Sequence, residues 1–230
     1  MTRRKANPVA ARTNDVRRMA QWQIITVIAL LGTACVIAYA GITAKEIIEN
    51  VQEKYDDMED AVVVFTQSVR FKVSRMEQQT SGTLYFKKKN KYRIETEQRV
   101  LVTDGKTSWS YSPQNKQLVV NSYKEDARSL SPENMLLQYP RDYFSALVGE
   151  EKSLGEPCYV LKLTPKEGNP AARTMKIWVN KNWLIRKIEA TESGGTVTTY
   201  TIKDVVMDKG IPDTRFEFKA PAGTDVIDLR

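Results

Sequence analysis

Two pairs of neighbouring carboxylates, Asp56-Asp57 and Glu150-Glu151, have the composition of an acid/base dyad. Two carboxyl groups converging on one substrate can split their pKa values and work as acid and base. Neighbours in sequence rarely converge, however, and a solvated surface is the simpler reading of both pairs. Ser193-Gly194-Gly195 has the residues of a phosphate-binding turn, but no helix pattern follows to point its N-terminus at the anion. It reads instead as a hairpin turn. Lys87-Lys88-Lys89, between Tyr85 and Tyr92, has the cation-plus-aromatic look of a nucleic-acid patch. Set between two strand patterns, it reads as a solvated loop or a contact for an acidic partner. The chain contains no histidine, which removes the Ser-His-Asp triad, the histidine general base and histidine metal ligands. A single cysteine outside the leader, Cys158, cannot form an intramolecular disulfide or a cysteine-rich zinc site. No enzyme, no cofactor and no metal is expected.

The net charge of +7 is unevenly spread. Arg3, Arg4, Lys5, Arg12, Arg17 and Arg18 face only Asp15 within residues 1–40, so five of the seven excess charges lie there and the rest of the chain carries +2. A body so weakly basic does not carry a nucleic-acid footprint. The uncharged run Ile24–Ala40 follows the basic stretch and ends in Ala38-Tyr39-Ala40. That order is the pattern of a secretory signal peptide, with cleavage expected after Ala40, or of a signal-anchor if the leader is retained. Gly32 stands where a lipoprotein signal ending at Cys35 would want a branched aliphatic residue. Residues 1–40 are therefore read as leader and 41–230 as one exported domain.

The elements that must position any site follow in order. Thr43 and Glu46 have capping-box spacing, and Ile47, Val51, Tyr55 and Met58 share a helical face. After Asp60 the period changes to two, with Val63, Phe65 and Gln67 on one side of a strand. Between Ser81 and Val120 short alternating runs are separated by Asn90 and by Asp104-Gly105, the pattern of an antiparallel meander. Leu84 and Phe86, then Tyr92 and Ile94, share faces, and Thr107, Trp109 and Tyr111 oppose Ser108 and Ser110. Ser131-Pro132-Glu133 starts a short helix carrying Met135, Leu136 and Leu137, and Tyr143–Val148 is expected as a second helical piece. Strands are expected at Cys158–Thr164, Thr174–Val179, Trp183–Thr191 and Thr196–Val205, with a last short strand at Phe216-Glu217-Phe218 and a terminal turn. Cys158 falls in a strand and reads as a small buried hydrophobe.

These stretches carry a family resemblance. Gly82-Thr83-Leu84-Tyr85-Phe86-Lys87 and Leu101-Val102-Thr103-Asp104-Gly105-Lys106-Thr107-Ser108-Trp109-Ser110-Tyr111 resemble the outer-membrane lipoprotein carrier (LolA) family. Phe65-Thr66-Gln67, Ser131-Pro132, Leu161–Pro165 and Ala220–Asp225 support it in the same order, so that it spans about residues 42–228. The resemblance implies a mainly β (α+β) fold: an incomplete, strongly curved antiparallel half-barrel with a helix at the start and short lid helices inserted mid-chain. It also implies a monomeric periplasmic carrier in a Gram-negative bacterium, binding acylated lipoproteins and moving them from the inner to the outer membrane. Its implied partners are an inner-membrane lipoprotein-releasing ABC transporter and an outer-membrane acceptor. On the family pattern Tyr55, Tyr92, Ile94 and Leu101 match acyl-cavity positions, and Trp109 is counted with the same wall. Met135, Leu136 and Leu137 match the lid, and Lys88 stands where the family has a lid-holding arginine. Burying an acyl methylene is worth about 0.8 kcal/mol, so one long chain needs on the order of 10 kcal/mol of shielding. Two other roles are open on the same half-barrel: a lipid or lipoprotein sensor, and a structural module whose cavity is filled by its own lid.

Overall fold

The computed structural model describes residues 41–124, 143–166, 174–192 and 194–230. The helix expected from Ser131, with Met135, Leu136 and Leu137, lies outside the described residues, as do the leader and Ser193 of the Ser193-Gly194-Gly195 turn. The architecture is that of residues 42–230.

Helix α1 spans Ala44–Asp56. Its capping box is present on both sides: the Thr43 hydroxyl accepts from the Glu46 N–H (3.2 Å), and Glu46 Oε2 accepts from the Thr43 N–H (2.7 Å). These bonds satisfy amide groups that a helix start otherwise leaves bare. The strands are β1 Asp60–Arg70, β2 Glu77–Lys87, β3 Lys91–Thr96, β4 Val100–Asp104, β5 Thr107–Ser112, β6 Gln117–Ser122, β7 Tyr143–Ser153, β8 Glu156–Pro165, β9 Thr174–Asn180, β10 Ile185–Thr191, β11 Val197–Met207 and β12 Asp225–Asp228. They form a single open, curled sheet in the order β12-β6-β5-β4-β3-β2-β1-β11-β10-β9-β8-β7. Neighbours are antiparallel except for β12, which runs parallel to β6. The two halves, β1–β6 and β7–β11, join where β1 pairs with β11, and a register shift between Val64 and Phe65 marks that seam. A bulge of this kind bends the strand and strengthens the twist.

The meander turns behave as their residues require. Lys89 and Asn90 both adopt positive φ between β2 and β3 (70° and 59°). Asp104 Oδ1 accepts from the N–H groups of Lys106 and Thr107 (2.8 and 2.7 Å), and Gly105 sits at φ +89°. A Cβ on Gly105 would stand 2.6 Å from the Lys89 carbonyl oxygen, so glycine is what lets these two turns touch.

Three cores organise the sheet. Ile47 and Val51 of α1 pack with Leu161, Leu163, Met175, Ile177, Val179, Ile188 and Ala190 on the inner face of β8–β10. Met58, Ala61 and Phe86 form a second inner cluster, and Tyr55 touches both. Cys158, Val160 and Trp178 form a small core on the opposite face. Cys158 is fully buried there, in the hydrophobic role the sequence suggests, and burial pushes its thiol pKa up.

Two expected elements are corrected. Tyr143–Val148 is not helical: it begins β7, an eleven-residue strand at the sheet edge, paired with β8. Phe144, Leu147 and Val148 suit a helix repeat, but a short apolar run satisfies both periods, and the waiting edge of β8 decides it. Phe216-Glu217-Phe218 forms no strand. Asp213–Phe216 is a 3-10 turn instead, packed on β3 and β4. The segment crosses the face of the sheet, where no free ladder edge exists to pair with it.

Candidate functional site

The site is built from side-chain parity along paired strands. Gln67 of β1 lies opposite Tyr200 of β11 and Thr80 of β2, and Phe65 lies opposite Gly82. Leu84 pairs with Ile94, Ile94 with Leu101, and Leu101 with Ser110. Directly opposed residues share a face, so Phe65, Gln67, Tyr200, Ile94 and Leu101 stand on one side. It is the side that carries α1, because Tyr200 also pairs with Ile188 of the helix-facing core.

Over β1–β5 that inner face encloses a cavity of about 620 Å³, lined by Phe65, Gln67, Thr80, Ile94, Leu101 and Tyr200, with Thr96, Gln98, Arg99, Ser112 and Gln114 toward one end. The volume falls in the about 300–1,000 Å³ range of sites that bury most of a small ligand. Phe65 and Tyr200 form its aromatic wall, ring centroids 6.2 Å apart and tilted by 57°. Gln67 Nε2 donates to Tyr200 Oη at 3.0 Å, which fixes the tyrosine edge and satisfies its hydroxyl. Gly82 makes room for Phe65: a Cβ there would meet the ring at 2.8 Å. Phe65, Ile94, Leu101 and Tyr200 give the hollow an apolar side, and Gln67, Thr80 and the residues toward its end give it a polar one.

Ile94 and Leu101, both read from sequence as cavity residues, are brought together here as cross-strand partners. Tyr92, two residues along β3, lines a second cavity of about 540 Å³ with Ser108, Asn121, Tyr123 and Leu229, its ring edge-on to Tyr123 at 6.4 Å. Tyr55 does not line either cavity. It is packed between the two inner clusters, and burial pushes its phenol up to about 12 despite the opposing Ile185 backbone hydrogen bond and Arg186 charge. Trp109 is on the other face altogether. It pairs with Val102, Val102 with Arg93 and Arg93 with Tyr85, a row opposite in parity to Ile94 and Leu101.

That outer face is partly covered by the C-terminal segment. Phe216 is fully buried, and Phe218 packs on Tyr111 with centroids 5.3 Å apart. Arg215 lies 4.0 Å over the Tyr85 ring and reaches Glu95 at 3.4 Å. Asp213 accepts from Lys87 (2.8 Å) and Lys91 (2.7 Å), which lower its pKa to about 2. Part of the lysine run is thus engaged with the chain's own carboxylates. Lys88 Nζ donates to the Asp56 carbonyl (2.8 Å) and to Glu59 Oε1 (2.9 Å), at the C-terminal end of α1. Glu150 and Glu151 face different partners, Lys181 (3.1 Å) and the Trp178 indole N–H (2.9 Å), so this pair does not converge. Among the described residues no group of three or more cysteines and carboxylates is placed to hold a metal.

Phe65, Gln67 and Tyr200 are the site residues that sequence reasoning did not assign. The alternation of Val63, Phe65 and Gln67 marks their common face. Only the β1–β11 pairing shows that Tyr200, more than 130 residues away, completes the wall.

The class the fold defines is a curled antiparallel sheet with a lined hollow and a helix on its inner face. The chain belongs to the LolA family, described as outer membrane lipoprotein carrier protein LolA, whose family model matches residues 57–219. It is similar to an outer-membrane lipoprotein carrier protein of Haemophilus influenzae, 28% identical over 169 residues, covering 72% of this chain and 79% of that one. An uncharacterized protein of Methanocaldococcus jannaschii is 30% identical over 205 residues, 83% of this chain, and the chain spans 57% of that relative's length. The crystal structure of an uncharacterized conserved protein from Thermus thermophilus shares the fold, with a TM-score of 0.54 at 13% identity over 80% of this chain and 98% of that one.

Proposed function

We propose that this protein carries the acyl chains of lipoproteins between membranes, from the inner to the outer, without catalysing a reaction. The observation that carries this reading is the cavity of about 620 Å³ with its floor of Phe65, Ile94 and Leu101. An acyl chain laid on such a floor gains about 0.8 kcal/mol per buried methylene, enough for capture without any polar chemistry. The basic leader and the apolar run Ile24–Ala40 fit delivery to the periplasm of a Gram-negative cell, with residues 1–40 as signal and 41–230 as the carrier. On this reading Met135, Leu136 and Leu137 serve as the lid, and Tyr92 extends the acyl path beyond Ile94. Lys88, which braces the end of α1, takes the place of the family's lid-holding arginine on this reading. Cargo is received from a lipoprotein-releasing transporter and passed to an outer-membrane acceptor.

The test is mass spectrometry of the protein purified from its native envelope. A co-purifying acylated lipoprotein, released by organic solvent and absent from an Ile94→Asp variant, is the expected result. Protein that purifies free of lipid, and that binds no fluorescent fatty acid in solution, would overturn the reading.

A further inference from the structure

The β1–β2 hairpin ends in a tip unlike the other turns. Its residues run Arg70, Phe71, Lys72, Val73, Ser74, Arg75, Met76, all exposed, with Val73 94% and Met76 65% accessible. Three apolar side chains alternate with or adjoin three cations. At the hairpin base Glu77 accepts from the Ser68 hydroxyl (2.7 Å), and Glu192 stands on the neighbouring β10–β11 turn, so the described residues around the tip set three cations against two carboxylates. The tip is nonetheless ordered: the Phe71 N–H donates to the Met76 carbonyl (2.9 Å) and closes the turn. Beside it, Gly195 of the β10–β11 turn, at φ +81°, leaves room for the Lys72 stem, which lies where a Cβ would be.

Its position matters more than its composition. β3 pairs with β2 only from Gly82 onward, so Glu77–Ser81 and the tip project past the β3–β4 turn. At about 3.3 Å per residue, those five residues carry the base of the tip about 16 Å beyond the last β2–β3 pair, Gly82–Thr96. The cavity's polar end, with Gln98 and Arg99 on the β3–β4 turn and Gln114 on the β5–β6 turn, opens at this same end of the sheet. The amphipathic tip therefore overhangs the cavity mouth.

We propose that this tip docks the protein on an anionic phospholipid surface, with Phe71, Val73 and Met76 entering the headgroup boundary and Arg70, Lys72 and Arg75 meeting lipid phosphates. Cations snorkelling around a small apolar plug are what a bilayer interface accommodates and bulk water does not reward. Charge complementarity selects the membrane over a neutral partner: each cation near an anionic surface is worth about fivefold in partitioning. Resting on the carrier reading above, the docked tip holds the cavity mouth at the bilayer surface, where the transporter and the acceptor hand over the acyl chain, so that it reaches the Ile94 floor with little exposure to water.

The test uses the full chain with a local readout, because an apolar run such as Ile24–Ala40 can itself partition into vesicles. In a Cys35→Ser background, with Cys158 fully buried, Val73→Cys carries an environment-sensitive fluorophore. Leu154→Cys, exposed on the β7–β8 turn at the opposite end of the sheet, is the control. Vesicles of phosphatidylcholine are compared with and without phosphatidylglycerol. A blue shift at position 73 in the anionic vesicles, absent at 154, is expected. Arg70→Gln, Lys72→Gln and Arg75→Gln together should weaken insertion on the order of a hundredfold. No shift at 73, an equal shift at 154, a shift that persists in the triple variant, or a shift that appears without lipid as protein concentration rises would each overturn docking. Fatty-acid binding measured on the same samples separates the two ideas. Retained binding without a shift sinks only the docking surface, whereas absent binding sinks the carrier reading.

Discussion

Replacing Ile94 by aspartate tests the cavity most directly. Ile94 is half-buried on β3 and faces Leu101 across the ladder, in the apolar floor rather than the polar rim. An isoleucine side chain contributes about 1.5–3 kcal/mol when fully buried, so Ile94→Ala should weaken acyl binding by roughly tenfold to a hundredfold. A carboxylate does more. Opposed to an acyl chain it must shed water without gaining a partner, adding at least about 1–3 kcal/mol. Ile94→Asp should therefore weaken binding by about three orders of magnitude in total. Arg99 lies in the same cavity and offers a counter-charge. Ile94→Asn, polar but uncharged, measures how much of the effect is ionic. The assay is displacement of a fluorescent fatty acid, run beside a thermal melt that must remain cooperative. The cavity being open at its rim, a hydrated side chain at 94 is tolerated by the empty protein, so folding should survive. A folded Ile94→Asp variant with unchanged affinity would refute the assignment of this hollow as the acyl site.

Three further outcomes follow from the same geometry. Trp109→Ala should destabilise the fold by about 2 kcal/mol, less than the about 3–5 kcal/mol of a fully buried aromatic, and leave acyl affinity unchanged, because Trp109 is on the face opposite Ile94; paired melts and titrations decide it. Asp60 is buried, and its carboxylate accepts from the Lys209 N–H (2.8 Å) and the Ile211 N–H (2.9 Å); Asp60→Ala, which leaves both amides unsatisfied, should cost about 2–3 kcal/mol in a denaturant titration. Asp213, held down to about 2 by Lys87 and Lys91, has a folded pKa below its ordinary 3.8. Its contribution is therefore complete above about pH 4 and lost as pH falls toward 2. Hydrogen exchange across Asp213–Glu217 should rise in that window, and Asp213→Asn should remove the pH dependence while raising exchange at neutral pH.

Much of this architecture is legible from local chemistry. The Thr43–Glu46 box starts a helix, Asp104-Gly105 turns a hairpin, and the alternation of Val63, Phe65 and Gln67 names a face, because each signal is decided within a few residues. What local chemistry does not contain is register. Trp109 and Tyr111 share a strand face, as their alternation says, but which face of the meander looks inward is set by pairing across four strands. The aromatic wall that reads as a ligand surface is partly covered by the chain itself, Phe218 packing on Tyr111 from about a hundred residues later. The same physics explains β7. A run that satisfies two periods takes the one whose hydrogen-bonding partner is already in place, and β8 supplies that partner.

The two faces of β2–β5 are treated oppositely, and this asymmetry is the strongest structural reason to look for a ligand. On the outer face the chain commits a whole segment to closure: a 3-10 turn, a fully buried phenylalanine, a cation over Tyr85 and a carboxylate shared by two lysines. On the inner face α1 fills the half over β8–β10 with Ile47 and Val51, while Ile94 and Leu101 remain only half-buried beside an open volume. Apolar surface left uncovered forgoes about 25 cal/mol per Å², and the outer face limits that deficit at its centre, where Val102 is fully buried. Tyr200 stands at the border, packed against the helix core on one flank and walling the cavity with Phe65 on the other. Gly82 leaves the Phe65 ring its place in that wall, since a Cβ there would meet the ring at 2.8 Å. The outer face is covered independently of the inner one, so a side chain changed in the hollow leaves the Phe216 and Phe218 contacts in place.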